Sequence, residues 1–255
     1  MSWAEAHSEG LENLHGAPEG APLQGSRASA NLLMLIIAID TSGRAGTVAL
    51  CRGDADRFET LQLGTLEGGT YAARLMPAIA ELLQHNKLDK RDVDAFVVVS
   101  GPGSFTGLRI GLAAVKGLCE ALGKPLATVS MLEALVITHV REGEATAILN
   151  AGRGEIYVGE YRVAAGHAEL LRGYIAKVQD FRGEAGTLLT SDESLANALP
   201  AAGQNIFLVE PVRADGVGRI GLRKLLQGEV ADAATVDVNY MRRSDAELFV
   251  KPKTL

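Results

Sequence analysis

Two short stretches hold the residues best placed to do chemistry. In AIDTSGRAGTVAL, the carboxylate of Asp40 and the hydroxyls of Thr41 and Ser42 fall at a strand-turn-strand junction. Backbone amides and hydroxyls at such a turn can hold a phosphate, and the carboxylate can hold its metal. In VVVSGPGSFTGLRIGLAAVKGLCEAL, an apolar run breaks on a glycine-rich turn and resumes with helical spacing. Gly101 and Gly103 permit a tight turn, Pro102 stiffens it, and Ser104 or Thr106 can cap the helix, whose first amides attract anions. Arg109, in the first turn, opposes the helix dipole and so predicts a negative neighbour: Asp40, a bound phosphate or a partner's carboxylate. Plainer readings stand beside these. An Asp-Thr-Ser turn is also an ordinary hairpin closed by its own side chain. The glycines spell GxGxxxG, without a Walker lysine and one residue off the dinucleotide spacing.

Other chemistries find less support. The histidines at 7, 15, 85, 139 and 167 never pair at i, i+4, and no acid-rich ligand loop accompanies them, so no protein-bound metal is expected. Nor do they assemble a Ser-His-Asp arrangement, which disfavours a peptidase. Cys51 and Cys119 lie far apart in apolar segments and read as buried free thiols of a reducing compartment, which points to the cytoplasm. A net charge of −6 gives no global field for nucleic acid, so any RNA must be met through a partner's basic surface. The longest apolar run, near Leu32 to Ile39, is too short to cross a bilayer as a helix. Residues 1–33 have neither the basic start nor the apolar core of a signal peptide, and read as a disordered tail or as sequence ahead of a native start at Met34.

The elements that must position these residues follow from periodicity. LLMLIIAID, GTVALCRG and RFETLQLG alternate with short turns and predict three antiparallel strands. A helix follows from about Thr70 to Asn86, with Tyr71, Leu75, Ile79, Leu82 and Leu83 on one face and Pro77 kinking it or sitting near its first turns. AFVVVS reads as a strand buried on both faces, residues 106–122 as a helix, LATVS as a strand, and Met131–Val140 as a helix capped by Ser130. Three strands, then helix, strand, helix, strand is the order of one lobe of an α/β, actin-like ATPase fold (ASKHA, ribonuclease H-like). The cycle restarts at ATAILNAG, GEIYVGEYRV and AELLRGYIA, with weaker helices near Ser191–Leu199 and Val217–Leu226. The expected organisation is a first lobe over 34–142 and a related, reduced second lobe over 143–255.

These motifs also carry a resemblance. IAIDTSGRAGTVALCRGD, YAARLMPAIAELL and above all SGPGSFTGLRIG, with NAGRGEIYVGEY and NYMRRSDAE further on, resemble the TsaB (YeaZ) family of tRNA threonylcarbamoyladenosine biosynthesis factors across about residues 34 to 249. The resemblance implies an actin-like fold that has lost its own catalysis. It also implies pairing with the related transferase TsaD, which modifies adenosine 37 of tRNAs reading codons that begin with A, with the ATPase TsaE joining them. tRNA is then met only through the complex, and ATP and a metal are used by the partner subunits. The chain alone holds no cofactor, although a nucleotide can sit at the joint with a partner.

On this view Asp40, Thr41, Ser42, Gly101, Gly103, Ser104, Thr106 and Arg109 are vestigial phosphate or nucleotide contacts, and none is catalytic. Tyr71, Ala72, Met76, Ala80, Ala113, Ala114 and Gly117 form the partner face, which also serves a homodimer when TsaD is absent. TsaD carries two metal-binding histidines on the helix matching residues 70–86, where this chain has only His85 near the end. Asn150, Gly152 and the pair Asp237-Val238 depart from the family pattern. The alternative is a stand-alone actin-like-fold ATPase or phosphotransferase working through Asp40 and the amides around Gly103.

Overall fold

A computed structural model describes residues 33–183, 186–199 and 206–238. The N-terminal stretch 1–32 and the NYMRRSDAE segment lie outside them.

The first three strands form as their alternation predicts. β1 (Met34–Asp40) and β2 (Ala45–Gly53) pair antiparallel, with Asp40 opposite Thr47, and β3 (Phe58–Glu67) continues the meander. α1 (Tyr71–His85) then crosses to β4 (Ala95–Gly101), which lies parallel to β1, and α2 (Phe105–Leu122) crosses to β5 (Leu126–Ser130) at the edge. The sheet order is therefore β3-β2-β1-β4-β5. α3 (Met131–His139) follows directly, held by a capping box in which Ser130 and Glu133 exchange side-chain and backbone hydrogen bonds.

The second sheet repeats this plan. β6 (Gly143–Gly152), β7 (Glu155–Ala164) and β8 (His167–Lys177) form an antiparallel meander. β9 (Thr187–Thr190) lies parallel to β6, and β10 (Ile206–Leu208) parallel to β9. Read from β8, the order is that of the first sheet. The helices are what has been cut back. Among the described residues none joins β8 to β9, and the β9–β10 crossover holds only the six-residue α4 (Glu193–Ala198).

β1 and β4 are buried almost throughout, so the first sheet needs cover on both faces. α5 (Ala214–Leu226) lies on the face carrying Ile36, Ala38 and Val97, where Gly218 and Gly221 let its backbone come close. The Ala214 N–H donates to Thr47 Oγ1 at 2.8 Å, fixing the start of α5 on β2. α1 and α2 cover the opposite face, where Leu75, Ile79, Leu82, Leu108, Leu112 and Val115 are buried. Pro77 sits inside α1 on its exposed side.

After α5 the chain rounds the sheet edge. Ala231 bridges Leu126 of β5, and the Lys116 ammonium of α2 donates to the carbonyls of Ala234 (3.3 Å) and Val236 (2.9 Å). This strap shields the edge of β5, which would otherwise present unpaired backbone groups.

Candidate functional site

The two stretches singled out by sequence meet in one place, and hydrogen bonding within the chain explains how. Asp40, at the end of β1, is 6% exposed, and its Oδ1 accepts from the Ser42 N–H (2.8 Å) and the Ser42 hydroxyl (2.6 Å). Burial pushes its pKa above the ordinary 3.8, although both hydrogen bonds from Ser42 pull the other way. Thr41 donates its hydroxyl to the Gly107 carbonyl at 2.7 Å, and the Ser104 N–H donates to the Ser42 carbonyl at 2.7 Å. Ser104 is the N-cap of α2, its hydroxyl accepting from the Gly107 N–H at 3.3 Å. Thr106, the other candidate cap, is exposed.

The glycines answer to the same contact. Gly103, just before the cap, and Gly107 and Gly111 on α2 recur every four residues and all face the β1–β2 turn. A Cβ at Gly103 would lie 2.6 Å from the Ser42 carbonyl oxygen and 2.7 Å from Ser42 Cβ. At Gly107 it would overlap the Thr41 carbonyl, and at Gly111 the Thr41 hydroxyl. The glycine pattern is thus a seat that lets a helix rest on a turn. Gly101, by contrast, needs its glycine for conformation, with φ at 132°.

Sequence missed the floor of this seat. Tyr71 is 4% exposed, and its hydroxyl donates to the Gly43 carbonyl at 2.9 Å. Its ring lies where a Cβ on Gly46 or Gly107 would have to go. Tyr71 therefore faces the interior and is not presented to a partner. Its place on the buried stripe with Leu75 and Ile79 was the available signal. The expected pairing of Arg109 with Asp40 is not formed either. Arg109 is exposed on α2, with its guanidinium 3.8 Å from the centre of the Phe105 ring, while Asp40 is buried beneath Ser42.

The turn borders a cleft of about 1600 Å³ between the two sheets, which Asp40, Ser42, Gly103, Ser104 and Thr106 line from one side. Asn150, Arg153 and Asp192 line it from the other. Asp192 caps α4 through its Oδ1, and Asn150 donates to its Oδ2 at 3.4 Å and accepts from the Gly152 N–H at 2.7 Å. Asn150 and Gly152 are thus tied into a local turn. Among the described residues, no three His, Cys, Asp or Glu side chains are grouped to hold a metal ion. His85, exposed at the end of α1, lies 3.4 Å from the Gln62 amide.

A second surface lies outside the cleft. Ala72, Met76 and Ala80 are exposed along α1, with Met76 at 46%. On the neighbouring α2, Ala113 and Gly117 are exposed and Ala114 is half-buried. Small side chains around one exposed methionine leave these helices open to close approach.

Comparison with known proteins gives a consistent result. The family model described as TsaD, tRNA N6-adenosine threonylcarbamoyltransferase, matches residues 69–205, more than half of the chain. The tRNA threonylcarbamoyladenosine biosynthesis protein TsaB of Bacillus subtilis is 36% identical over 137 residues, 53% of this chain and 58% of that protein. The Escherichia coli protein of the same name is 33% identical over 132 residues, 51% of this chain and 55% of its own length. The chain thus spans about half the length of the curated relatives it matches. Among solved structures, YeaZ from Pseudomonas aeruginosa superposes with a TM-score of 0.68 at 24% identity, covering 81% of this chain and 99% of that one. That likeness establishes the actin-like, ribonuclease H-like fold. No helix among the described residues is long and apolar enough to cross a membrane.

Proposed function

We propose a function from one premise: this chain belongs to the TsaD family, and within it to the TsaB (YeaZ) proteins. It acts as a non-catalytic subunit in threonylcarbamoylation of adenosine 37 in tRNAs reading codons that begin with A. Its partner is TsaD, whose corresponding helices pack against α1 and α2, and the ATPase TsaE joins the pair. tRNA is engaged by the assembly, and ATP and metal are handled by the partner subunits in the cytoplasm.

The observation that supports this reading is that Ala72, Met76 and Ala80 are exposed in a row on α1, and Ala113 and Gly117 on the adjoining α2. Helices approach closely where side chains are small, and such a face on a soluble domain favours a partner helix pair. The same face can hold two copies together when TsaD is absent.

The test is reconstitution. Ala113→Arg places a long cation on the exposed row without disturbing the buried side of α2. The variant should keep wild-type circular dichroism, fail to co-elute with TsaD, and fail to restore threonylcarbamoyladenosine in tRNA of cells depleted of the native protein. Co-elution of the folded variant with TsaD would defeat the assignment of this surface.

A further inference from the structure

We propose that the half-open cavity bordered by α3, α5 and β8 binds a small amphipathic anion, a molecule with one carboxylate or phosphate head and a compact apolar body. The cavity measures about 470 Å³, and Leu132, Ile137, Ile220 and Leu170 supply its apolar lining. That size and character suit a small organic ligand.

The head group is specified by the cations. Lys224 is already neutralised, its ammonium 2.8 Å from the Glu133 carboxylate with both side chains largely buried. Arg223 is not. It lines the same cavity half-buried, its hydrogen bond goes to the Gly166 carbonyl, and no carboxylate pairs with it among the described residues. A guanidinium offers five N–H donors, and those not given to Gly166 are left to water or a ligand, since Glu229, the other carboxylate of the lining besides Glu133, forms no ion pair with it. His167 borders the same end, its Nε2 3.2 Å from the Gln227 amide. A monoanion lodged against Arg223 and His167 would complete their hydrogen bonding, with its apolar part on Ile220 and Leu132.

The site is separate from the interlobe cleft. Met131 lines the cleft while Leu132 and Glu133 line this cavity, so the first turn of α3 divides them. A ligand here would touch α5, which covers the first sheet, and β8, which belongs to the second.

The experiment titrates the full chain with sodium octanoate, with n-hexyl phosphate and with n-octanol, by calorimetry and by methyl NMR of the leucines and isoleucines. One or both anions should bind saturably at a single site, with shifts centred on Leu132, Ile137, Leu170 and Ile220; which head group binds tells carboxylate from phosphate. Arg223→Gln, and octanol in place of octanoate, should each weaken binding about tenfold or more, the worth of a charge-assisted hydrogen bond. Leu170→Trp, at an exposed strand position on the rim, should block binding with Arg223 intact, and serves if Arg223→Gln fails to fold. Absence of saturable binding by both anions, equal binding by octanol, or unchanged binding by folded Arg223→Gln or Leu170→Trp overturns the proposal.

Discussion

Replacing Gly107 with alanine is the sharpest test of how the α2 seat works. The new methyl would overlap the Thr41 carbonyl and stand 3.2 Å from the Tyr71 ring. Neither neighbour is the free end of a flexible chain, since one is backbone and the other a buried ring. Overpacking of this kind costs about 1–3 kcal/mol. If α2 backs away, the buried 2.7 Å bond from Thr41 to the Gly107 carbonyl is lost, leaving polar groups unpaired at about 1–3 kcal/mol. Alanine's better helix propensity offsets about 1 kcal/mol, so by either route a net loss of about 1–2 kcal/mol is expected. For a chain of this size that lowers Tm by about 2–8 °C. Gly117→Ala supplies the control on the same helix, because a Cβ there meets nothing within 4 Å. It should gain up to about 1 kcal/mol by the same propensity argument. Urea unfolding followed by far-ultraviolet circular dichroism measures both. If Gly107→Ala is as stable as wild type while Gly117→Ala behaves as stated, the seat is not close-packed and the glycine pattern needs another cause.

Three further outcomes are expected. Asp40 has its folded-state pKa raised by burial, so its charging opposes folding: relative stability is greatest below 3.8 and is lost as pH rises through the folded value. Asp40→Asn should therefore gain on wild type in unfolding free energy between pH 4 and pH 7, and a variant that loses ground over that range would contradict the assignment. Lys224→Met leaves the largely buried Glu133 carboxylate unpaired and should cost about 2 kcal/mol, discounted for partial exposure, while the double variant with Glu133→Gln recovers most of it. If the loss in the double variant equals the sum of the losses in Lys224→Met and Glu133→Gln measured singly, the pair carries no coupling. Lys116→Met removes the two side-chain hydrogen bonds that α2 gives the strap at Ala234 and Val236, so amides of residues 233–238 should exchange about tenfold faster, the effect of about 1.4 kcal/mol. Unchanged exchange would show that the strap is held by the Ala231–Leu126 bridge and its apolar contacts and not by Lys116.

Long, strongly patterned elements were legible in the sequence because burial imposes their period. The five buried positions of α1 are those its spacing marked, and the Ser130 cap is where Glu133 three residues later makes a capping box. β9 and β10 were not legible, since four and three residues give too short a run to show alternation. The helical pattern of α5 was visible but its destination was not. A hydrophobic stripe says that a face is buried, and only the fit of Gly218 and Gly221 against Ala38 and Val97 says against which sheet. The pairing of Arg109 with Asp40 was not legible either way, because spacing puts Arg109 near the start of α2 but does not show that Asp40 turns under Ser42 while the guanidinium lies over Phe105.

The same seat bears on whether the Asp40 turn could handle phosphate by itself. An anion placed there would want the Ser42 N–H and hydroxyl, the Thr41 hydroxyl and the Ser104 N–H. All four are already given, to Asp40, Asp40, the Gly107 carbonyl and the Ser42 carbonyl in turn. Exchanging four internal hydrogen bonds at about 1 kcal/mol each weakens any such site about a thousandfold against one with free donors. The buried Asp40 carboxylate, lying beside the same atoms, repels the anion further whenever it is charged. An anion using the Thr41 hydroxyl or the Ser104 N–H would therefore have to displace bonds that join the turn to α2 and its cap, the contact for which Gly103, Gly107 and Gly111 are shaped. An activity that leaves α2 in place and uses its outer face asks nothing of these bonds. For that reason the exposed row on α1 and α2 is the better place to look for what this chain does.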